Sequence, residues 1–209
     1  MTSPVHGDDA WSTLASRVRS LADATVDCAI DEDTATRAAV VIAEVDADLR
    51  SFDTRRRDFS ALLGQGKVVG ADAVGHTEHC YVCGPRNGGG LGLVPHWEGD
   101  GIVAEVILDA THEGAPGVAH GGVVALLFDD LLSYPASARA GFVVTTDLQI
   151  KYLAPTPTRV PLTLTARFID AVGSRFLVSG SIAMENDITA IATGWFRTGR
   201  RSLIETEQA

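Results

Sequence analysis

The segment His120-Gly121-Gly122-Val-Val-Ala-Leu-Leu-Phe-Asp129-Asp130-Leu-Leu-Ser-Tyr134 constrains the fold more than any other part of the chain. Two glycines follow the turn-rich stretch Glu113-Gly-Ala-Pro-Gly117 and open a run apolar enough to predict a core helix. The backbone N–H groups at such a helix start are uncovered and able to receive an anion. Gly122 and Asp129 are seven residues apart, nearly two turns, so they share a face with Leu126. Asp130 falls about 100° further round. A carboxylate in an apolar helix is costly unless it meets a solvated cleft or takes part in chemistry. The plainer alternative is that Asp129 and Asp130 mark where the helix reaches water.

Strand patterns surround this helix. Leu91–Trp97 and Ile102–Leu108 precede it; Phe142–Tyr152, Leu162–Ile169, Phe176–Met184 and Ile188–Phe196 follow, several with period-two alternation. Turns at Gly99-Asp100-Gly101, Val172-Gly173-Ser174 and Glu185-Asn186-Asp187 separate neighbours. One helix between two strands and four predicts an α+β domain, a single antiparallel sheet wrapped around one central helix. Residues 1–63 read instead as a helical extension. Trp11, Leu14, Val18 and Leu21 recur at helical spacing, as do Ile42, Val45, Leu49 and Phe52 after a cap at Asp33 or Thr34. These stripes need covering, by the main domain or by a partner subunit. Arg55-Arg56-Arg57 reads as a solvated face or a complement to the helix dipole, and Cys28 as a residue packed on the extension. Residues 64–79 form a Gly-rich polar linker, 80–199 the main domain and 200–209 a tail.

Seventeen Lys and Arg against 27 Asp and Glu give a formal charge of -10, which disfavours nucleic acid and anionic membrane as partners. No basic-then-apolar leader follows Met1, and no apolar run approaches the roughly 20 residues that span a bilayer. Three unevenly spread cysteines do not suggest a secreted disulfide scaffold. A cytoplasmic protein is expected.

Three motifs in order carry a resemblance. The His120-Gly-Gly segment, with an acid nine residues on, resembles that of the hotdog-fold acyl-CoA thioesterases of the phenylacetic-acid-pathway type. Thr145-Thr146-Asp147-Leu148-Gln149-Ile150-Lys151-Tyr152-Leu153-Ala154-Pro155 is similar to the strand that follows in that family. Cys80-Tyr-Val-Cys83-Gly84-Pro85-Arg86-Asn87, continuing to Gly90-Leu91-Gly92-Leu93, resembles the lead into the first strand in one branch. The resemblance spans residues 80–198 and implies a hotdog fold, an acyl-CoA substrate, no cofactor, and a homodimer that extends to pairs of dimers.

Thioester hydrolysis needs a base or nucleophile, a group that polarises the carbonyl and an oriented water. Asp129 is the candidate for the first and the Gly121 N–H for the second. Eight residues of one helix separate them by about 12 Å, whereas groups acting on one carbonyl must lie within about 3 Å of the reacting atoms. The resemblance resolves this by joining the helix start of one chain to the acid of another, which makes a dimer obligatory. The resemblance also implies that Thr145 positions water or the acid, and that Gly122, Lys151, Gly173, Ser174 and Arg175 contact substrate. His120 reads as a helix-start residue hydrogen bonded to backbone, with general base as the alternative. Asp130 reads as a supporting or solvated residue. Many relatives carry Asn where this chain has Gly114; Gly114-Ala-Pro-Gly117 looks more like the mitochondrial-type branch that lacks it.

His76, His79, Cys80 and Cys83 offer four zinc-competent ligands, but the run is too compact for paired knuckles and its Cys-x2-Cys-Gly part belongs to the resemblance. No metal is expected. Two other functions fit the same fold: a non-catalytic acyl-CoA or lipid-binding module, which has no need of an acid at the thioester, and a hydratase, which wants a His facing an acid across the tunnel.

Overall fold

The computed structural model describes residues 9–54 and 78–198. Two helices come first, α1 (Ala10–Asp27) and α2 (Glu32–Arg50), and then the main domain. Its strands are β1 (His96–Glu98), β2 (Gly101–Ile107), a small hairpin β3 (Glu113–Ala115) and β4 (Val118–Ala119), then β5 (Val143–Tyr152), β6 (Pro161–Val172), β7 (Arg175–Met184) and β8 (Asp187–Thr198). Between β4 and β5 runs the central helix α3 (Gly121–Ala140). Among the described residues, six strands form one antiparallel sheet in the order β1-β2-β6-β7-β8-β5, with β5 an edge paired only with β8. This is the hotdog arrangement, with the N-terminal helices added.

The sheet wraps α3 because both are apolar on facing sides. Leu127, Phe128, Leu131, Leu132 and Tyr134 are fully buried, and they meet Ile102, Leu162, Leu164, Val178, Ile182 and Phe196 from β2, β6, β7 and β8. Each such side chain contributes roughly 1.5–3 kcal/mol of transfer free energy. Gly180 on β7 lets the helix come close, since a Cβ there would lie 2.7 Å from a Leu132 methyl. Pro135 sits inside α3 without ending it.

Several expectations shift. The strand expected over Leu91–Trp97 is only His96–Glu98. Upstream, Leu91 and Leu93 donate their N–H groups to the Tyr81 and Val82 carbonyls, so this stretch pairs with the cysteine loop rather than with the sheet. The hairpin β3–β4 occupies what reads in sequence as a loop. The cap of α2 is Asp31, whose carboxylate accepts the Thr34 N–H at 2.7 Å, rather than Asp33 or Thr34. The helices break at Cys28–Asp31, which leaves Cys28 exposed rather than packed. Arg55-Arg56-Arg57, most of the 64–79 linker and the 200–209 tail lie outside the described residues.

α1 docks on the main domain chiefly through polar contacts. Asp9 pairs with Arg86, Arg19 donates to the Asn87 carbonyl at 2.7 Å, Asp23 accepts the Ala110 N–H at 3.1 Å, and Asp27 pairs with Arg159. α2 buries no residue. Val18 and Leu21 of α1 with Val41, Ile42, Val45 and Leu49 of α2 line an apolar groove of about 840 Å³. The stripes predicted from sequence therefore remain largely exposed on the single chain, Phe52 and Trp11 included. Among the described residues, no helix is long and apolar enough to cross a membrane.

Candidate functional site

The start of α3 is built by four local choices. His120 is the N-cap: its backbone is extended, and its Nδ1 accepts the Gly122 N–H at 2.9 Å. An accepting Nδ1 carries no proton, so in this state the neutral ring holds its hydrogen on Nε2. This is the structural role expected for His120, and it occupies the nitrogen nearest the helix. The His120 N–H in turn donates to the His112 carbonyl at 2.8 Å. Gly122 needs to be small, because a Cβ there would sit 3.0 Å from the capping nitrogen. Gly114, on the hairpin, passes closer still: its Cβ would meet the His120 Cα at 2.9 Å. An Asn side chain at this position has no room here.

The Gly121 N–H, by contrast, has no acceptor among the described residues, and the residue is exposed. It points from the positive end of the α3 dipole. Its carbonyl accepts the Tyr152 hydroxyl at 2.9 Å, which ties the helix start to the end of β5. Sequence reasoning quoted Tyr152 within a motif but gave it no role; its only signal was that motif. A pocket of about 450 Å³ lies beside Gly121, lined by Val118, Val124, Tyr152, Leu153 and Pro155 among others.

Asp129 lies two turns along. Its neighbours Leu127, Phe128, Leu131 and Leu132 are buried, yet Asp129 is exposed and makes no hydrogen bond or ion pair among the described residues. Asp130 points elsewhere. One of its carboxylate oxygens is 3.7 Å from the Cys80 sulfur and the other 3.3 Å from the Tyr134 hydroxyl, which is also 3.3 Å from the Cys83 sulfur. The Cys83 thiol is held well above the ordinary thiol range, first by its hydrogen bond with Cys80, then by burial and the nearby Asp130 charge. Burial, then the same carboxylate, pushes the Tyr134 phenol up. Nothing in the linear sequence links the cysteine pair to Asp130, so this cluster was missed.

Thr145 is exposed near the start of β5, where the register with β8 shifts between Thr145 and Asp147. Such a bulge re-aims side chains at the sheet edge. Seven residues of strand separate Thr145 from Tyr152, about 23 Å at about 3.3 Å per residue. Lys151 lies on the sheet face opposite α3, beside Arg167, Gln149 and Ser179 in a groove of about 460 Å³. The turn Gly173-Ser174-Arg175 is at the far end of the sheet from Gly121: Arg175 pairs with Arg197, which pairs with Val144. The Arg175 guanidinium stacks on the Trp195 ring, 4.6 Å from its centroid. One chain thus brings Gly121, Gly122, His120 and Tyr152 together at one end, and sets Thr145 and Gly173–Arg175 towards the other.

The six-stranded sheet around one helix, opened by a capped Gly-Gly with a bare N–H, defines a hotdog domain of the thioesterase kind. Residues 116–191 match the family model described as the thioesterase superfamily. A crystallised thioesterase superfamily protein is 26% identical, with a TM-score of 0.79 over 94% of each chain. That coverage reaches beyond the sheet domain into the described N-terminal helices. A thioesterase superfamily protein from Shewanella loihica is 29% identical over 52% of this chain and 92% of its own, with a TM-score of 0.46. The E. coli PaaI protein of the phenylacetic acid degradation operon is 19% identical over 53% and 81%, with a TM-score of 0.49.

Proposed function

We propose that this protein is an acyl-CoA thioesterase of the cytoplasm, active as a homodimer whose sites are shared between chains. Asp129 activates water or attacks the thioester carbonyl, and the Gly121 N–H of the opposite chain stabilises the oxygen as negative charge develops on it. Hydrolysis then releases the free acid and the CoA thiol. The observation that carries this reading is the separation of two incomplete half-sites on one chain: a bare N–H at the start of α3, and an exposed, unpaired carboxylate about 12 Å along it.

The sheet supplies a way to join them. β5 is a ten-residue edge with no neighbour beyond β8 among the described residues, and an edge of that length calls for a partner. A second copy pairing antiparallel along β5 sets the Tyr152 end of one chain beside the Thr145 end of the other. Gly121 and Gly122 then approach the partner's half of the site, and the turn carrying Gly173, Ser174 and Arg175 comes towards the helix start it is remote from within its own chain. Lys151, Ser174 and Arg175 supply hydrogen-bond donors suited to the CoA phosphates, and Thr145 orients the water. The apolar pocket beside Gly121 suits the acyl or pantetheine portion.

Hydrolysis across short, medium, long and aromatic acyl-CoAs tests the class. Asp129→Asn retains the fold and lowers kcat by at least about a hundredfold, the usual scale for a positioned base. Asp130→Asn, turned away toward Cys80 and Tyr134, costs far less. Equal small losses in both variants, or binding of acyl-CoA with no turnover of any, defeat the proposal; the second result is that of a binding module.

A further inference from the structure

We infer that Cys80, Cys83 and Asp130 form a zinc site that fastens the loop before β1 to the central helix. The inference is independent of the thioesterase reading. The two sulfurs and a carboxylate oxygen of Asp130 all lie within 4.8 Å of one another, with Cys80 Sγ to Asp130 Oδ1 at 3.7 Å. Tetrahedral zinc with Zn–S bonds of about 2.3 Å holds its sulfurs about 3.8 Å apart, so side-chain adjustments of about an ångström close the site. On its own the compact His and Cys run is too tight for paired zinc knuckles. What it lacked was a ligand from elsewhere, and α3 provides one 47 residues beyond Cys83.

The loop is wound as a metal-binding turn requires. The Gly84 N–H donates to the Cys80 carbonyl at 3.0 Å, and the Val82 N–H is directed at the Cys80 sulfur at 3.4 Å. An N–H aimed at sulfur from two residues on stabilises a thiolate, and partners of this kind orient metal ligands. No side chain fits at Gly84, where a Cβ would lie 2.4 Å from the Cys80 nitrogen. The Tyr134 hydroxyl, 3.3 Å from both Cys83 Sγ and Asp130 Oδ2, steadies two of the three ligands. Cys83 is buried and Cys80 half-buried, so the fourth coordination position opens on the Cys80 side and takes water. Two thiolates with one carboxylate select zinc over magnesium or calcium, which prefer oxygen alone. Binding releases the two thiol protons and leaves a site of net charge -1 from three anions and one dication.

The full chain, tag removed, reduced and freed of metal by a chelator, is titrated with Zn²⁺ against a chromophoric chelator and separately with Co²⁺. One equivalent binds, and Co²⁺ gives a near-ultraviolet thiolate-to-metal band. Cys80→Ser and Asp130→Asn each weaken binding at least about tenfold, while Cys28→Ser leaves it unchanged. Absence of uptake by the reduced wild-type chain overturns the site, as does uptake that survives joint replacement of Cys80 and Cys83 by Ser. Unchanged affinity in Asp130→Asn removes the carboxylate from it. A Cys80–Cys83 disulfide formed in air, with no zinc taken up after reduction, assigns the pair to redox chemistry and overturns the inference too. If a variant does not fold, the wild-type cobalt spectrum decides alone. None of these readouts depends on hydrolysis.

Discussion

Mixing two inactive variants distinguishes a shared site from a site within one chain. The first variant is Asp129→Asn. The second, Gly121→Pro, removes only the N–H. Gly121 is the first residue of α3, where proline's fixed φ suits the helix, and the lost donor has no acceptor among the described residues. His120 has ψ of 135°, as a residue before proline requires. A Cβ at 121 meets the Tyr152 hydroxyl at an ordinary 3.5 Å. Alone, Asp129→Asn loses at least about a hundredfold, and Gly121→Pro about a hundred- to a thousandfold, as for loss of one oxyanion donor. After subunit exchange at equal concentrations, about half of the dimers are mixed, and in a two-fold dimer one of the two sites in each is then wild type. The pool therefore recovers about a quarter of wild-type activity, at least about 25-fold above either parent. Hydrolysis is followed by thiol release, and exchange is verified by native mass spectrometry. A fully exchanged pool that stays at the parental level refutes the split site.

Two further outcomes follow from the caps. His120→Ala removes the acceptor for the Gly122 N–H and lowers stability by about 1 kcal/mol, the usual scale for an N-cap. In a chain of this size that is a shift of about 2–4 °C in Tm; an unchanged Tm denies His120 the capping role. Acid acts on α1. The Ser12 N–H and then Arg86 lower the Asp9 carboxyl from 3.8 to about 2, so the unfolded chain binds the proton more tightly than the folded one. The contribution is complete above about pH 4 and is lost as pH falls toward 2. Amide exchange in α1 rises across that window before the α3 core responds, and uniform protection down to pH 2 removes Asp9 from the docking.

The strands and α3 were legible in sequence because their signals are local: alternation for β6–β8, an apolar run interrupted at Asp129-Asp130 for α3. The first strand was misjudged for the same reason. Leu93 reads as a strand residue by its hydrophobicity, but it is buried against the cysteine loop, and its N–H bonds there rather than in the sheet. Spacing places Gly121 and Asp129 on one helix, but the roles proposed for them come from the resemblance. Tyr152 carried no sign of its contact with Gly121, 31 positions away, and Asp130 none of its approach to Cys80 across 50. Contacts of that range exist only once the sheet has closed around the helix. Among the described residues α2 buries none of its own, so the stripe read as needing a cover stays exposed.

The close passage of the hairpin at Gly114 also limits the paths by which this protein can change. With the His120 Cα 2.9 Å from where a Cβ would lie, even alanine there displaces either the hairpin or the backbone that caps α3. A side-chain amide at 114 is thus not a single substitution away. The hairpin would first have to move outward, and that step confers no new contact of its own and loosens the capped helix start. Selection for a polar group beside Gly121 would find its first accessible steps elsewhere, at the rim formed by Val118, Leu153 and Pro155. The glycine acts as a ratchet: easy to enter by loss of a side chain, and hard to leave.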